Sequence, residues 1–176
     1  MIFEELKLKG AYRIDLEKRG DSRGFFARVF CAEEFAELGL ETNFVQSNWS
    51  FSETKNTLRG MHFQTGEFQE VKLVRCVRGA LLDVIVDMRE SSDTYLQYHM
   101  EELTHVNGRM LYIPKGCAHG FLTLEKDSEI FYQVSNYYNK ESEGGLHWND
   151  PKVNIKWPFE EDPIVSIKDT NLKFLK

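Results

Sequence analysis

Short runs of alternating or clustered apolar residues fill most of the chain, with glycines and prolines between them. Val71-Lys72-Leu73-Val74-Arg75-Cys76-Val77 reads as a strand closed by Gly79. Leu81-Leu82-Asp83-Val84-Ile85-Val86-Asp87 follows almost at once, so the two are predicted to form a tight antiparallel pair. Further strands are predicted over Arg109 to Ile113, His119 to Leu124 and Glu129 to Val134. The clearest helical stretch is Ala32 to Leu38, about two turns, where acidic residues flank Phe35 and Leu38 before Gly39. Many short strands with one short helix predict an all-β sandwich or jelly-roll barrel. A doubly wound α/β fold needs helical crossovers for which this chain has no room. No linker, repeat or low-complexity tract interrupts it, so residues 1–176 are expected to form a single domain.

Strand parity says which side chains share a face. His62 and Gln64 fall together, as do Lys72, Val74 and Cys76, and as do Ile130, Tyr132 and Val134. A lysine among Val74 and Cys76 has two readings. Either the face lines a barrel interior and the charge needs a ligand or partner, or the face looks to solvent and Lys72 is an ordinary surface lysine.

Composition narrows the function. The apolar fraction is 41% and the aromatic fraction 13%, which suits a packed core and excludes disorder. A net charge of -6 argues against a broad nucleic-acid surface, while leaving room for a small basic pocket. The first ten residues lack the basic start and apolar run of a signal peptide, and no stretch is long and apolar enough to span a membrane. Three scattered cysteines, Cys31, Cys76 and Cys117, read as reduced thiols of a cytoplasmic protein. The Asn48-Trp49-Ser50 sequon is then incidental.

Five histidines raise the question of a metal. Pro114-Lys115-Gly116-Cys117-Ala118-His119 resembles the second motif of the cupin superfamily, whose histidine often binds metal. The place of the first motif's His-x-His pair is held by His62-Phe63-Gln64, so the strongest ligands are missing and no metal is expected. General acid–base chemistry is the alternative. His62 as base needs little pKa tuning, Lys72 would stabilise an oxyanion, Asp169 would fix the imidazole, and Tyr132 would donate a proton. On local grounds each also has a plain structural reading: Tyr132, Tyr137 and Tyr138 as strand packing, Asp169 as a surface charge. Arg23 and Arg59 each stand beside a glycine, which would let a guanidinium approach a phosphate.

At these residues the chain resembles the dTDP-4-dehydrorhamnose 3,5-epimerase family, over nearly its whole length. The match is carried by GDSRGFF (20–26), FVQSN (44–48), LRGMHFQ (58–64), KLVRC (72–76), DVIVDMR (83–89) and IPKGCAHGF (113–121). It continues with FYQVSNYY (131–138), SEGGLHWNDP (142–151), IKWP (155–158) and SIKD (166–169). The resemblance implies an all-β, cupin-like double-stranded β-helix jelly roll with short peripheral helices, working without metal or other cofactor, as a homodimer. It implies His62 as base, Asp169 as its acidic partner, Lys72 as the enolate-stabilising cation and Tyr132 as acid. It also implies a cleft for a nucleotide-diphosphate 4-keto sugar lined by Arg23, Gln46, Asn48, Arg59, His119, Tyr138, Glu143 and Lys168.

The implied reaction inverts C3 and C5 of a nucleotide-linked 4-keto-6-deoxyhexose, turning dTDP-4-dehydro-6-deoxyglucose into dTDP-4-dehydrorhamnose through an enolate. The alternatives are a C3-only epimerase, an epimerase of a CDP- or GDP-linked hexose or heptose, and a non-catalytic sugar-nucleotide-binding cupin. One departure bears on substrate. Arg28 stands in a cleft segment where the family usually has glutamate, and is expected either to pair with Glu70 or to contact a different base or sugar. A second is the run Phe68-Gln69-Glu70-Val71-Lys72, where the family usually has AQGK.

Overall fold

A computed structural model describes residues 1–176. Two sheets face one another and the core lies between them. The strands of the first are β1 (Ile2–Glu5), β2 (Tyr12–Asp15), β5 (Gln46–Ser52), β7 (Lys72–Arg78), β10 (Met110–Ile113) and β12 (Ser128–Val134), in the spatial order β1-β2-β10-β7-β12-β5. The second contains β6 (Thr57–Gln64), β8 (Ala80–Asp87), β9 (Tyr98–Thr104), β11 (Cys117–Thr123) and β13 (Glu143–Gly145), in the order β13-β6-β11-β8-β9, with β14 (Ile164–Val165) beside β6. Strands β3 (Arg19–Asp21) and β4 (Gly24–Phe26) form a separate hairpin. The two helices are short: α1 (Ala32–Glu37) and α2 (Ile167–Thr170). This is the all-β jelly roll expected, and no helix is long and apolar enough to cross a membrane.

The central layer joins Val74, Cys76, Leu81, Ile85, Leu103, Leu111, Phe121 and Ile130 from both sheets. Each outer face is covered over part of its area. Phe35 of α1 packs with Ile14, Leu73, Met110 and Tyr112 outside the first sheet, and its complete burial is worth about 2–3 kcal/mol. Leu146, Val153 and Ile155 cover Met61, Val84 and Val86 outside the second. Strands covered on both faces lose the apolar–polar alternation, which is why β8 reads as a nearly continuous apolar run.

One expectation about pairing is overturned. The two runs around Gly79 become β7 and β8, but they do not pair; β7 bonds to β10 and β12, and β8 to β9 and β11. Gly79, at φ 71°, carries the chain from one sheet to the other. A Cβ there would lie 2.4 Å from Ser128 Oγ, so the crossing admits only glycine. Two apolar strands joined by a tight turn resemble a hairpin in sequence. Burial on both faces makes them central strands of opposite sheets instead.

Candidate active site

Strand β6 carries an extra residue that shapes the site. Its register with β11 shifts between His119 and Phe121: His119 lies opposite His62, but Phe121 lies opposite Arg59. Three steps along β6 therefore match two along β11, and Arg59 and His62 face the same side although strict alternation would separate them. The extra residue sits at Gly60-Met61. Gly60 has φ 130°, and a Cβ on it would lie 2.6 Å from the Gly120 Cα.

The bulge also frees a donor. The Gly60 N–H points to Asp169 Oδ2 at 3.3 Å, while Asp169 Oδ1 lies 2.7 Å from His62 Nε2. Asp169 is held by its own short helix, where its backbone N–H donates to the N-cap Ser166 Oγ at 3.1 Å. In a full capping box the side chain three residues after the cap folds back on the cap; here that side chain is spent on His62. Burial pushes the Asp169 carboxyl up, but the His62 hydrogen bond and charge, with the Gly60 and Ser166 contacts, outweigh it and hold it below the ordinary carboxylate value. A buried anion on one ring nitrogen fixes the tautomer and the orientation of the imidazole.

Lys72 resolves the two readings of its strand face: it is 7% exposed and points into the barrel mouth. Its Nζ donates to the His62 carbonyl at 3.3 Å and lies 3.3 Å from Glu70 Oε1. Tyr132 packs against the central core from β12. Burial first, and the Glu70 charge second, push its phenol up, against a smaller opposing pull from Arg59. A phenol so placed stays protonated at neutral pH and is competent as an acid.

His62, Lys72 and Tyr132 form the wall shared by two adjoining cavities. One, of about 210 Å³, is lined in addition by Gln46, Asn48, Tyr138 and Glu143. The other, of about 300 Å³, is lined by Arg59, His119, Lys168 and Asp169. Gln46 Oε1 accepts from the Tyr138 N–H at 2.8 Å, and the Tyr138 hydroxyl donates to Glu143 at 3.3 Å. Lys168 closes the rim in an ion pair with Glu143. Burial raises the Glu143 carboxyl and Lys168 more than offsets it, so the net direction is down. Eleven of the thirteen residues expected at the site thus gather around these cavities.

Arg23 and Arg28 do not. Arg23 lies in the β3–β4 hairpin, largely exposed and forked onto Asp21 at 2.6 Å. Arg28 lines a surface groove with Glu17 and Glu34, and its guanidinium donates to Glu34 at 3.1 Å. The pairing of Arg28 with Glu70 is therefore corrected. Glu70 is committed to Lys72 and to Gln64 Nε2 at 3.0 Å, on a different part of the molecule.

Sequence reasoning missed Asp83. It is fully buried on β8 and grips His119 Nε2 through both oxygens, at 2.9 and 3.0 Å. An acid inside an apolar strand needs a partner, and that cue was available in LLDVIVD. No three His, Cys, Asp or Glu side chains come together as a metal-ligating group.

Comparison with known proteins places this fold in a family. Residues 5–176 match the family described as dTDP-4-dehydrorhamnose 3,5-epimerase. A dTDP-4-dehydrorhamnose 3,5-epimerase of Salmonella typhimurium is 48% identical over 151 residues, covering 85% of this chain and 82% of its own. The dTDP-4-dehydrorhamnose 3,5-epimerase of Bacillus anthracis, solved with TDP and PPi bound, superposes with a TM-score of 0.95 at 38% identity, covering 99% of each chain. A dTDP-6-deoxy-D-glucose-3,5-epimerase of Legionella pneumophila, solved with dTDP-4-keto-L-rhamnose, has a TM-score of 0.92 at 37% identity, covering 98% of this chain and 92% of its own.

Proposed function

We propose, from the premise that this chain belongs to the dTDP-4-dehydrorhamnose 3,5-epimerase family, that it inverts C3 and C5 of dTDP-4-dehydro-6-deoxyglucose to form dTDP-4-dehydrorhamnose. The observation that carries the residue assignment is the His62–Asp169 pair at 2.7 Å, opening on the same cavities as Lys72 and Tyr132. C3 and C5 both neighbour the C4 ketone, so loss of either proton gives an enolate. His62 removes the proton, and Asp169 stabilises the resulting imidazolium. Lys72 faces the negative oxygen. Its ammonium has three N–H groups; two are directed at the His62 carbonyl and Glu70, and the third is available to the enolate. Tyr132 returns a proton from the opposite face. Arg59 and Lys168 supply positive charge for the diphosphate.

The chain acts as a pair of identical subunits, joined through the uncovered part of the first sheet. Trp49, Phe51 and Val77 are 70%, 49% and 38% exposed there. Next to them the Arg75 Nε is buried without a hydrogen-bond partner. A patch of this kind on a folded chain marks an interaction surface.

Epimerisation in deuterium oxide tests the reaction. Deuterium entering both C3 and C5 of the dTDP sugar is the expected result, and absence of exchange at C5 would sink the double-epimerase reading.

A further inference from the structure

Lys72 carries a neighbour that the proton-transfer scheme leaves without a task. Glu70 lies on the short segment between a single 3-10 turn (Gly66–Phe68) and β7. Its side chain is 11% exposed, its Oε1 faces Lys72 Nζ at 3.3 Å, and it lines the cavity that His62 and Tyr132 share. A carboxylate and an ammonium this well covered cost free energy unless each is paired.

The carboxylate is itself held from behind. Glu70 Oε2 lies 3.0 Å from Gln64 Nε2, whose two N–H groups are shared with the Phe68 and Tyr137 carbonyls at 3.0 and 3.1 Å. Gln64 Oε1 accepts from the Asn139 N–H at 2.7 Å. Gln64 is 5% exposed and stands two residues from His62 on the same face of β6. The base, the cation and the loop bearing Tyr138 are thereby tied through one carboxylate and one amide.

We propose that Glu70 is a positioning residue for the epimerisation: it holds the Lys72 ammonium in register with the enolate oxygen and keeps a fixed negative charge beside the Tyr132 hydroxyl. The role rests on the assignment of Lys72 and Tyr132 made above. Two consequences follow from charge and geometry. With one donor of Lys72 on Glu70 and another on the His62 carbonyl, the third has a defined direction, and less reorganisation accompanies charge development. A carboxylate near a phenol opposes its ionisation, so the acid stays loaded at higher pH.

Other charges face Tyr132 and set the background. Arg59 and His62 on β6 and Lys72 on β7 approach it from the barrel, and Arg59 opposes Glu70 in sign. His119 on β11, Glu143 on β13, and Lys168 and Asp169 on α2 lie further round the two cavities. Glu70 is the carboxylate whose charge raises the Tyr132 phenol.

The test is the pH dependence of kcat and KM for dTDP-4-dehydro-6-deoxyglucose with wild type, Glu70→Gln, Glu70→Asp and Tyr132→Phe. Glu70→Gln is expected to lower kcat about tenfold, the worth of one charge-assisted hydrogen bond, with KM little changed. Its alkaline limb is expected at lower pH than in wild type. Glu70→Asp, which keeps the charge but draws it back, should lie between the two; should Glu70→Gln not fold, the direction of the Glu70→Asp limb decides. A merely structural Glu70 would lower activity equally at every pH, and an unmoved limb in a folded variant overturns the proposal. Tyr132→Phe separates the two readings. If the alkaline limb disappears in that variant yet stays in place in Glu70→Gln, Glu70 alone loses its role. If the limb persists without the phenol, the assignment of Tyr132 as acid fails, and the role of Glu70 fails with it.

Discussion

His62 Nε2 lies 2.7 Å from Asp169 Oδ1, although 107 residues separate them in the chain. The contact joins the middle of a central strand to a single helical turn near the C-terminus. It depends on the β6 bulge, which turns His62 inward and offers the Gly60 N–H to the second carboxylate oxygen.

Loss of the base and loss of the acid should differ in kind. His62→Asn is expected to lower kcat by about 10²–10⁴-fold and to abolish hydrogen exchange at C3 and C5, while dTDP still binds by calorimetry. Tyr132→Phe should lower inversion by a similar factor yet retain exchange, because the enolate still forms and recaptures a proton on the face it lost. Exchange that survives in His62→Asn would remove His62 from its role.

Asp169→Asn should reduce activity by about 10–100-fold, as expected for a partner that orients a functional imidazole. It should also destabilise the fold by about 1–3 kcal/mol at neutral pH. The Asp169 carboxyl is held below its ordinary value of 3.8 in the folded protein. Its stabilisation is therefore complete above the unfolded value and is lost as pH falls through the folded one. Thermal melts of the two proteins should differ most near neutrality and converge below pH 3.8; a gap that widens in acid contradicts this.

Gly60→Ala tests the bulge. The new Cβ would meet the Gly120 Cα at 2.6 Å and the residue would keep a φ of 130°. Chemical denaturation is expected to report a loss of about 2–4 kcal/mol, with activity reduced in any folded fraction because both Arg59 and His62 must shift.

Thiol reactivity should single out one cysteine. Burial pushes the Cys76 thiol up to about 11 and the Cys117 thiol up to about 12, whereas Cys31 is only half-buried. Since the thiolate is the reactive form, a maleimide at pH 8 should label Cys31 in the native protein and reach the other two only after denaturation. Mass spectrometry of tryptic peptides reads the sites directly.

The proposed subunit pairing makes a prediction of mass. Wild type should sediment at twice the 20.6 kDa of one chain. Phe51→Lys combined with Val77→Lys should sediment as the single chain, because charge at the centre of an apolar contact is left without a partner. A wild type that sediments as one chain refutes the pairing.

Strands β7, β8, β10, β11 and β12 were legible because each combines an apolar run with a turn signal near its end. Their partners were not. β7 and β8 look like a hairpin from either side of Gly79, and only the packing of two sheets shows that the turn crosses between them. Strands β1, β2, β5 and β9 escaped detection because their faces are half-exposed and their alternation is weak. The residues that gather around the two cavities were named through family motifs, with side-chain chemistry giving each a reason to be there. Asp83 was overlooked although an acid inside an apolar run is a cue, and Glu70 was noticed only as a partner for Arg28; the meaning of each carboxylate lies in what it touches.

The amino-acid sequence by itself determined the fold class and the family, and it supplied the four side chains proposed for proton transfer, because those depend on residue types, short periodicities and ordered motifs. Tertiary structure alone decided that Arg59 and His62 share a face, that the Gly60 N–H meets the second oxygen of Asp169, and that Lys72 stands between Glu70 and the His62 carbonyl. It also put Arg28 against Glu34 and away from both cavities. The physical reason is that a one-residue bulge reverses side-chain direction along a strand, and charges find partners through space, at distances that sequence separation does not encode.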